Sequence, residues 1–278
     1  MEKKKKKVKF ATPPPSYFSC QKMEKTFCAA AKDDKVKEVK DILRKNPSLN
    51  VNWRNENDQG CTALIIACDN GHDSIVSILL AHPDIDVNQK DINGWPLFNS
   101  DCLNGFTSCV RLLLKDSRVK VNEPDDGYTP LMWAAYKGHL DVIKWWIASG
   151  REMYLGEPGN YHTDAIGKAK KEGKTEVAIL LERFKENPAK TRYQVRLELG
   201  VADEVAAKMF AIVVFLSDGL LQVTQRDQST SAARFFSIAS QLPLELQMVL
   251  CYRVAGSCKE IIHGKDSEMA FMELAKRI

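Results

Sequence analysis

The stretch PDDGYTPLMWAAYKGH, residues 124–139, contains the signals that begin and end a short helix. Thr129 stands where a helix N-cap is needed, and Pro130 suits the first helical turn because its fixed φ fits there. Gly138 follows the small residues Ala134 and Ala135 and can end the helix in a left-handed conformation. This stretch therefore predicts a short helix between two glycine turns, with one side small enough for close helix packing.

The same arrangement recurs upstream, which makes the chain a repeat protein. The leading glycines Gly60, Gly94 and Gly127 lie 34 and 33 residues apart. Each is followed by a second glycine and then by an apolar stripe at helical spacing, as in Ile75–Leu80. One helix pair cannot cover its own apolar face, so we expect the units to stack as a solenoid.

The three segments that begin at these glycines resemble the ankyrin repeat, whose pattern is matched best by residues 124–139. Weaker units at 27–52 and 163–184 have the polar surfaces typical of terminal caps. The resemblance implies an all-α fold, an ankyrin-repeat solenoid with β-hairpin loops. We predict about five units over residues 24–186, preceded by a basic and proline-rich disordered tail at 1–23.

Residues 187–278 do not continue the repeat, and we predict a small C-terminal helical domain there. Helical patterns cover 191–200, 203–219, 231–241, 242–254 and 267–278, although Ile212–Leu216 is also compatible with a strand. Asp203 and Glu204 at the start of the second pattern and Gly219 at its end are typical of a helix. This domain is expected to cap the last repeat.

Composition and charge exclude several classes of protein. Hydrophobic residues make up 44% and charged residues 27%, which excludes a disordered chain, a collagen or a multi-span membrane protein. Residues 1–9 carry a net charge of +5 and the remainder −1, so bulk charge argues against a nucleic-acid-binding body. The longest apolar stretch, Met209–Leu216, is too short to span a bilayer.

The eight cysteines are expected to be reduced, packed thiols. We find no secretory signal and no CxxC pair, which argues against disulfides and zinc. In the ankyrin family the histidine at His72 and His139 is structural. No nucleotide-binding, protease or kinase motif is present, so we predict a protein that is not an enzyme, with no catalytic residue, cofactor, metal or small-molecule substrate.

The ankyrin resemblance implies that the hairpin tips and the concave helix face bind a protein partner. Trp and Tyr are frequent in binding hot spots, and the alternative for the aromatic residues is that they pack against each other or under a neighbouring hairpin. The predicted partner-binding residues are Gln89, Lys90, Trp95, Asp125, Asp126, Tyr128, Met132, Trp133, Tyr136 and Lys137.

The third unit departs from the repeat pattern at two positions. Pro96 occupies the threonine position and Asp101 the first tight alanine position. A buried, unpaired carboxylate is costly. Two interpretations stay open: a drifted repeat with a displaced first helix, or a hinge or polar contact with a ligand.

The segment LPLELQ, residues 242–247, resembles the opening of an F-box. Leu242, Pro243, Glu245 and Leu246 carry the resemblance, which implies a substrate adaptor of a cullin ubiquitin ligase. The simpler alternative is a helix that starts with proline and an acidic residue.

The function predicted from sequence is a non-enzymatic protein-protein interaction scaffold, with the ubiquitin-ligase adaptor as the alternative. We expect a cytoplasmic protein. The lysine run at Lys3–Lys7 resembles a nuclear-import signal, could attract acidic membrane or RNA, or could simply be a solvated tail.

Overall fold

The structure of the protein is a computed structural model that describes residues 15–125, 127–157, 164–219 and 231–255, together with Ala270. Its described helices confirm the predicted all-α fold. Contacts divide the chain into two compact units, the first ending at Ala178 and the second beginning at Ile179, with Ile147–Gly150 belonging to the second. The boundaries predicted from sequence at residues 23 and 186 stay a prediction.

Within the described residues, five successive helix pairs lie at the predicted spacing. They are α1 (Pro15–Lys32) with α2 (Val36–Lys45), α3 (Ala63–Asp69) with α4 (Asp73–Leu80), α5 (Leu97–Asn104) with α6 (Thr107–Lys115), α7 (Pro130–Lys137) with α8 (Leu140–Ser149), and α9 (Ala165–Lys171) with α10 (Thr175–Glu186). Helices α8 and α10 both run across the unit boundary. The first helix begins at Pro15, so residues 15–23 are helical where the sequence predicted a disordered tail.

In the first unit the first helices pack side by side, α1 on α3, α3 on α5, α5 on α7 and α7 on α9. The predicted N-caps are confirmed: the side-chain oxygens of Thr62 and Thr129 accept hydrogen bonds from the backbone N–H groups of Ile65 and Met132, both at 3.3 Å. Gly138 ends α7 in the left-handed conformation, as the spacing predicts. Burial of the second-helix stripes, including fully buried Ile75 and Val76, contributes about 1.5–3 kcal/mol per large side chain.

The loops between units are shorter versions of the predicted β-hairpins. Over the described part of the chain, single antiparallel bridges replace paired strands, at Asn55–Cys61, Lys90–Pro96 and Asp125–Tyr128. At the second of these tips, the Asp91 carboxylate accepts hydrogen bonds from the backbone N–H groups of Asn93 and Trp95, at 2.9 and 2.8 Å. Side-chain bonds of this kind hold a tight loop without a strand ladder.

Three asparagines at equivalent positions each link one repeat to the next. Asn52 donates to the Asp84 carbonyl at 2.7 Å, Asn88 to the Arg118 carbonyl at 2.9 Å, and Asn122 to the Glu152 carbonyl at 3.2 Å. The oxygen of each amide accepts a backbone N–H two residues beyond that carbonyl. The Val-Asn pair of the sequence therefore marks a bridge that satisfies two backbone groups of the following loop.

The described part of the second unit contains four further helices: α11 (Pro188–Glu198), α12 (Ala202–Ser217), α13 (Ser231–Ala239) and α14 (Leu244–Ala255). Its core is formed by buried residues of α12, including Phe210 and Val213, with Ala239 and Cys251. The segment Ile212–Leu216 lies inside α12, which decides against the strand alternative. Apart from Ala270, the predicted helix at 267–278 lies outside the described residues.

Candidate protein-binding face

Four aromatic side chains of α7 and the two loops that precede α5 and α7 meet in one cluster. We call Trp95, Tyr128, Trp133 and Tyr136 the aromatic cluster. The Trp133 ring stacks on Tyr128 with centroids 4.8 Å apart and planes at 22°. It also contacts Trp95 at 5.5 Å and meets Tyr136 edge-on at 6.3 Å. Trp133 is thus the centre, and the aromatic residues do pack against each other, which was one of the two alternatives.

Packing in the cluster leaves all four rings half-buried. The Trp133 indole nitrogen is itself covered and has no hydrogen-bond partner among the described residues. Leaving such a donor unpaired costs about 1–3 kcal/mol. Trp146, by contrast, is fully buried in the core of the helix stripe, as its position predicts, and packs edge-on against Phe98.

Two lysines flank the aromatic cluster on the Tyr136 side. Lys137 Nζ lies 5.2 Å and Lys168 Nζ 4.7 Å from the Tyr136 ring centroid. Both distances are within the range for cation–π attraction. Lys137 is exposed, whereas Lys168 of α9 is only 7% exposed. Sequence reasoning missed Lys168, although its place on the first helix of the next unit is a usable signal.

Met132 is a correction to the predicted binding residues. Its side chain is fully buried, so a partner cannot reach it on the folded surface. The equivalent position in the second repeat, Ile65, is also buried, and Asn99 in the third repeat is buried too. This face of each first helix packs against its neighbours, while the next residue along, Trp133 in α7, remains half-exposed.

The predicted residues of the loop tips have mixed surroundings. Lys90 forms an ion pair with Glu123 of the next tip, at 2.8 Å between Nζ and Oε1. Gln89 is half-buried, and its side-chain oxygen has no hydrogen-bond partner in the described structure. Asp125 makes the backbone bridge to Tyr128, and Asp126 lies outside the described residues.

Beneath this face, α5 carries two fully buried polar side chains, Asn99 and Asp101. None of their side-chain N and O atoms has a hydrogen-bond partner of normal geometry among the described groups. Burial raises the pKa of Asp101 well above its ordinary value, and weak hydrogen bonding from the Cys68 and Cys109 thiols lowers it only partly. Burial likewise raises the pKa of nearby Asp69, against a hydrogen bond from Ser100. A high pKa favours protonated Asp101.

The histidines after the turn glycines are structural, as the resemblance implied. Nε2 of His72 lies 2.9 Å from the Lys32 carbonyl oxygen, and Nε2 of His139 lies 2.9 Å from that of Leu103. Because a carbonyl oxygen only accepts, each Nε2 carries the proton.

The cysteines whose surroundings are described are free and buried, namely Cys28, Cys61, Cys68, Cys102, Cys109 and Cys251. Burial raises the pKa of Cys28, Cys61 and Cys251 to about 12. A thiol with a raised pKa is a poor nucleophile near neutral pH.

Within the described ranges, no three His, Cys, Asp or Glu side chains come together as candidate metal ligands. No helix in those ranges is long and apolar enough to cross a membrane.

The predicted adaptor motif lies at the start of α14 in the second unit. Leu242 is half-buried, Pro243 is exposed, and Leu246 is 52% exposed. Glu245 is in the helix, but its side chain lies outside the described part. Gln247 turns inward and donates to the Leu242 carbonyl oxygen at 2.8 Å, which closes the start of the helix.

Comparison with known proteins gives two findings. The family description "Ankyrin repeats (3 copies)" matches residues 16–91 and 91–156, about half of the chain. A relative from Bos taurus, the SMC5-SMC6 complex localization factor protein 1, is 32% identical over 164 residues. That match covers 55% of this chain but 16% of the relative, so the chain spans only a small part of that protein's length.

Proposed function

This chain belongs to the ankyrin repeat family, and we propose that it is a non-enzymatic scaffold that binds a protein partner through the aromatic cluster and the adjacent loop tips. The binding mode is contact with a preformed surface, because neighbouring helices and loops already hold the rings in place. A preformed surface lowers the ordering cost of association.

The observation that carries this proposal is the half-exposed aromatic cluster across two consecutive units. Trp133 contacts Trp95, Tyr128 and Tyr136, so a partner that covers Trp133 reaches a continuous aromatic surface. Trp and Tyr are enriched in binding hot spots because they offer large rigid contact area. Exposed apolar area of this kind favours association.

Charged side chains around the aromatic cluster can orient a bound partner. Lys137 is exposed beside Tyr136 and adds positive charge at one edge. Lys90 and Glu123 form an ion pair on the tips, which a partner's charges can compete with. Asp125, in the loop that precedes α7, is proposed to add a contact beside Tyr128. Asp126 is proposed as a contact from its sequence position alone.

The test is capture of a partner by Trp133→Ala compared with the wild type. We expect loss of the captured protein from lysate and retention of a normal circular dichroism spectrum. Tyr193→Ala, which removes a half-buried aromatic ring of α11 outside the cluster, is the matched control. Equal capture by wild type and Trp133→Ala, with both folded, would contradict the proposal.

The chain's role at the cellular level is proposed from its relative. The relative is by its name a localization factor of a protein complex, and we propose that this chain likewise acts by recruiting a bound protein to its site of action.

We propose a cytoplasmic protein, with nuclear import through Lys3–Lys7 as the alternative. Replacing these lysines with glutamine in a fluorescent fusion tests the alternative, since loss of nuclear signal is expected only if the run is an import signal.

The second candidate function is the cullin ubiquitin-ligase adaptor. The observation that favours it is exposed apolar surface at the predicted motif, where Leu244 and Leu246 are each 52% exposed. We expect Leu246→Ala to abolish co-purification with ligase components while partner capture through Trp133 is unchanged. Exposed Ile238→Ala on α13 serves as the control.

A further inference from the structure

An open groove lies on the second helices of the helix pairs in the first unit, which do not carry the aromatic cluster. Helix α2 packs on α4 and α4 on α6, and the three together form an open groove of about 480 Å³. Its floor includes the half-buried aliphatic side chains Ile78 and Leu112. The polar residues that line it include Lys40, Ser74, Ser77, Ser108, Arg111 and Lys115.

The charged residues that line this groove are mostly basic. Lys40, Arg111 and Lys115 are basic, and Asp73 is the acidic residue in the lining. Asp73 accepts a weak hydrogen bond from the Ser74 hydroxyl at 3.4 Å. A concave surface with excess positive charge attracts anionic groups.

Arg111 contacts an aromatic ring and has no acidic partner within the part of the chain that the structure describes. Its guanidinium carbon lies over the Trp145 ring, 3.9 Å from the ring centroid, which is within the range for cation–π attraction. Its Nε is covered and has no hydrogen-bond partner among the described residues. Contact with the indole restricts the position of the guanidinium, and a positioned guanidinium can bind a carboxylate through two parallel hydrogen bonds.

We propose that this groove, with Arg111 at its centre, binds an acidic peptide segment of a protein partner. A carboxylate of the peptide pairs with Arg111, a second carboxylate lies near Lys40, and the hydroxyls of Ser77 and Ser108 donate further hydrogen bonds. Aliphatic side chains of the peptide cover Ile78 and Leu112. This surface is separate from the aromatic cluster, so the inference does not rest on the function proposed above.

Charge complementarity and the lining favour a peptide as the occupant. Single-stranded nucleic acid needs aromatic faces on which its bases stack, whereas none of the lining side chains is aromatic. An aliphatic floor bordered by basic residues instead matches a segment in which acidic and aliphatic residues alternate.

The experiment measures fluorescence anisotropy of a labelled peptide of alternating glutamate and leucine, titrated with the full chain. We expect saturable binding that weakens with added salt, because screening reduces attraction between charges near the surface. The same peptide with glutamine in place of glutamate should not bind. Arg111→Gln should weaken binding at least about tenfold, since hydrogen bonds to charged groups contribute about 1.5–3 kcal/mol.

Further variants keep the result interpretable. Lys40→Gln removes an exposed charge of the lining and should weaken binding by a smaller factor. Lys190→Gln on α11 makes the same charge change outside the groove and should have no effect. Equal binding by wild type, Arg111→Gln and Lys40→Gln would overturn the proposal, as would binding of the glutamine peptide, or loss of binding in Trp133→Ala, which would locate the peptide on the aromatic cluster.

Discussion

The imidazole Nε2 of His139 lies 2.9 Å from the carbonyl oxygen of Leu103, a residue of the preceding helix pair. The same ring covers Gly105, where an added Cβ would come within 2.5 Å of Nδ1. One side chain therefore satisfies a carbonyl at the end of α5 and fills the space beside its glycine. In the preceding repeat Phe106 takes the equivalent place over Gly71, where it can supply packing but no hydrogen bond.

His139→Ala should lower the free energy of unfolding by about 1–3 kcal/mol, because the Leu103 carbonyl loses its donor and the ring contact with Gly105 disappears. His139→Phe retains a ring, as Phe106 does naturally, and should lose less than His139→Ala. Urea denaturation followed by circular dichroism measures both. A smaller loss for alanine than for phenylalanine would contradict this account.

Gly105→Ala should destabilise the protein more than Gly94→Ala. Both glycines have positive φ, +75° and +84°, so both substitutions cost about 1 kcal/mol in backbone strain. Only at Gly105 would the new methyl group also collide with a side chain, that of His139, since nothing lies within 4 Å at Gly94. Denaturation midpoints of the two variants test the difference, and equal midpoints would show that the ring moves aside freely.

Asn88→Ala should destabilise the first unit by about 1–2 kcal/mol. The substitution removes the bonds to the Arg118 carbonyl oxygen and the Lys120 N–H, each 2.9 Å long, and leaves two backbone groups of the next loop unpaired. Asn104→Ala removes an exposed asparagine of α5 and is the control. Hydrogen exchange of the Lys120 amide gives a direct readout, because its protection should fall in Asn88→Ala alone.

Asp101→Ala should increase the stability of the protein by about 1–3 kcal/mol at neutral pH. The substitution removes a fully buried carboxyl group that has no hydrogen-bond partner of normal geometry among the described residues, and unsatisfied buried polar groups cost about that much. Alanine also occupies this position in the fourth repeat, as Ala134. Asp141→Ala, an exposed carboxylate on α8, should change stability little. A thermal melt that shows Asp101→Ala to be less stable than wild type would indicate that Asp101 has a stabilising partner.

The part of the free energy of unfolding that depends on the protonation of Asp101 should fall as pH rises. The pKa of this carboxyl is raised by burial above the ordinary value of 3.8, so the folded protein keeps a proton that the unfolded chain loses. The contribution is fully present below pH 3.8 and is lost as pH rises through the raised pKa, by up to about 1.4 kcal/mol per pH unit.

Comparison with Asp101→Asn isolates this effect, because Asn does not titrate and Asp69, whose pKa is also raised, is present in both proteins. The stability of Asp101→Asn relative to wild type should therefore increase from acidic to alkaline pH. A difference that is constant with pH would mean that Asp101 has the same pKa in the folded and unfolded states.

The sequence alone determined the repeat and its helix pairs. The glycine spacing, the threonines at 62 and 129 and the apolar stripes act within one unit, and local backbone and capping preferences depend on neighbours in the chain. The same spacing placed aromatic residues on adjacent repeats, and the ankyrin resemblance implied that His72 and His139 are structural. These features are short-range, which is why a single sequence predicts them.

The tertiary structure decided which of these side chains a partner can reach. Met132 and Trp133 are adjacent in α7, yet the first is fully buried and the second half-exposed, because flanking first helices cover only one side. Arg111 is similarly indistinct in the sequence, and its place over Trp145 depends on how α6 meets α8. Such contacts join residues from different units, and the period of the repeat does not specify which side chains meet across them.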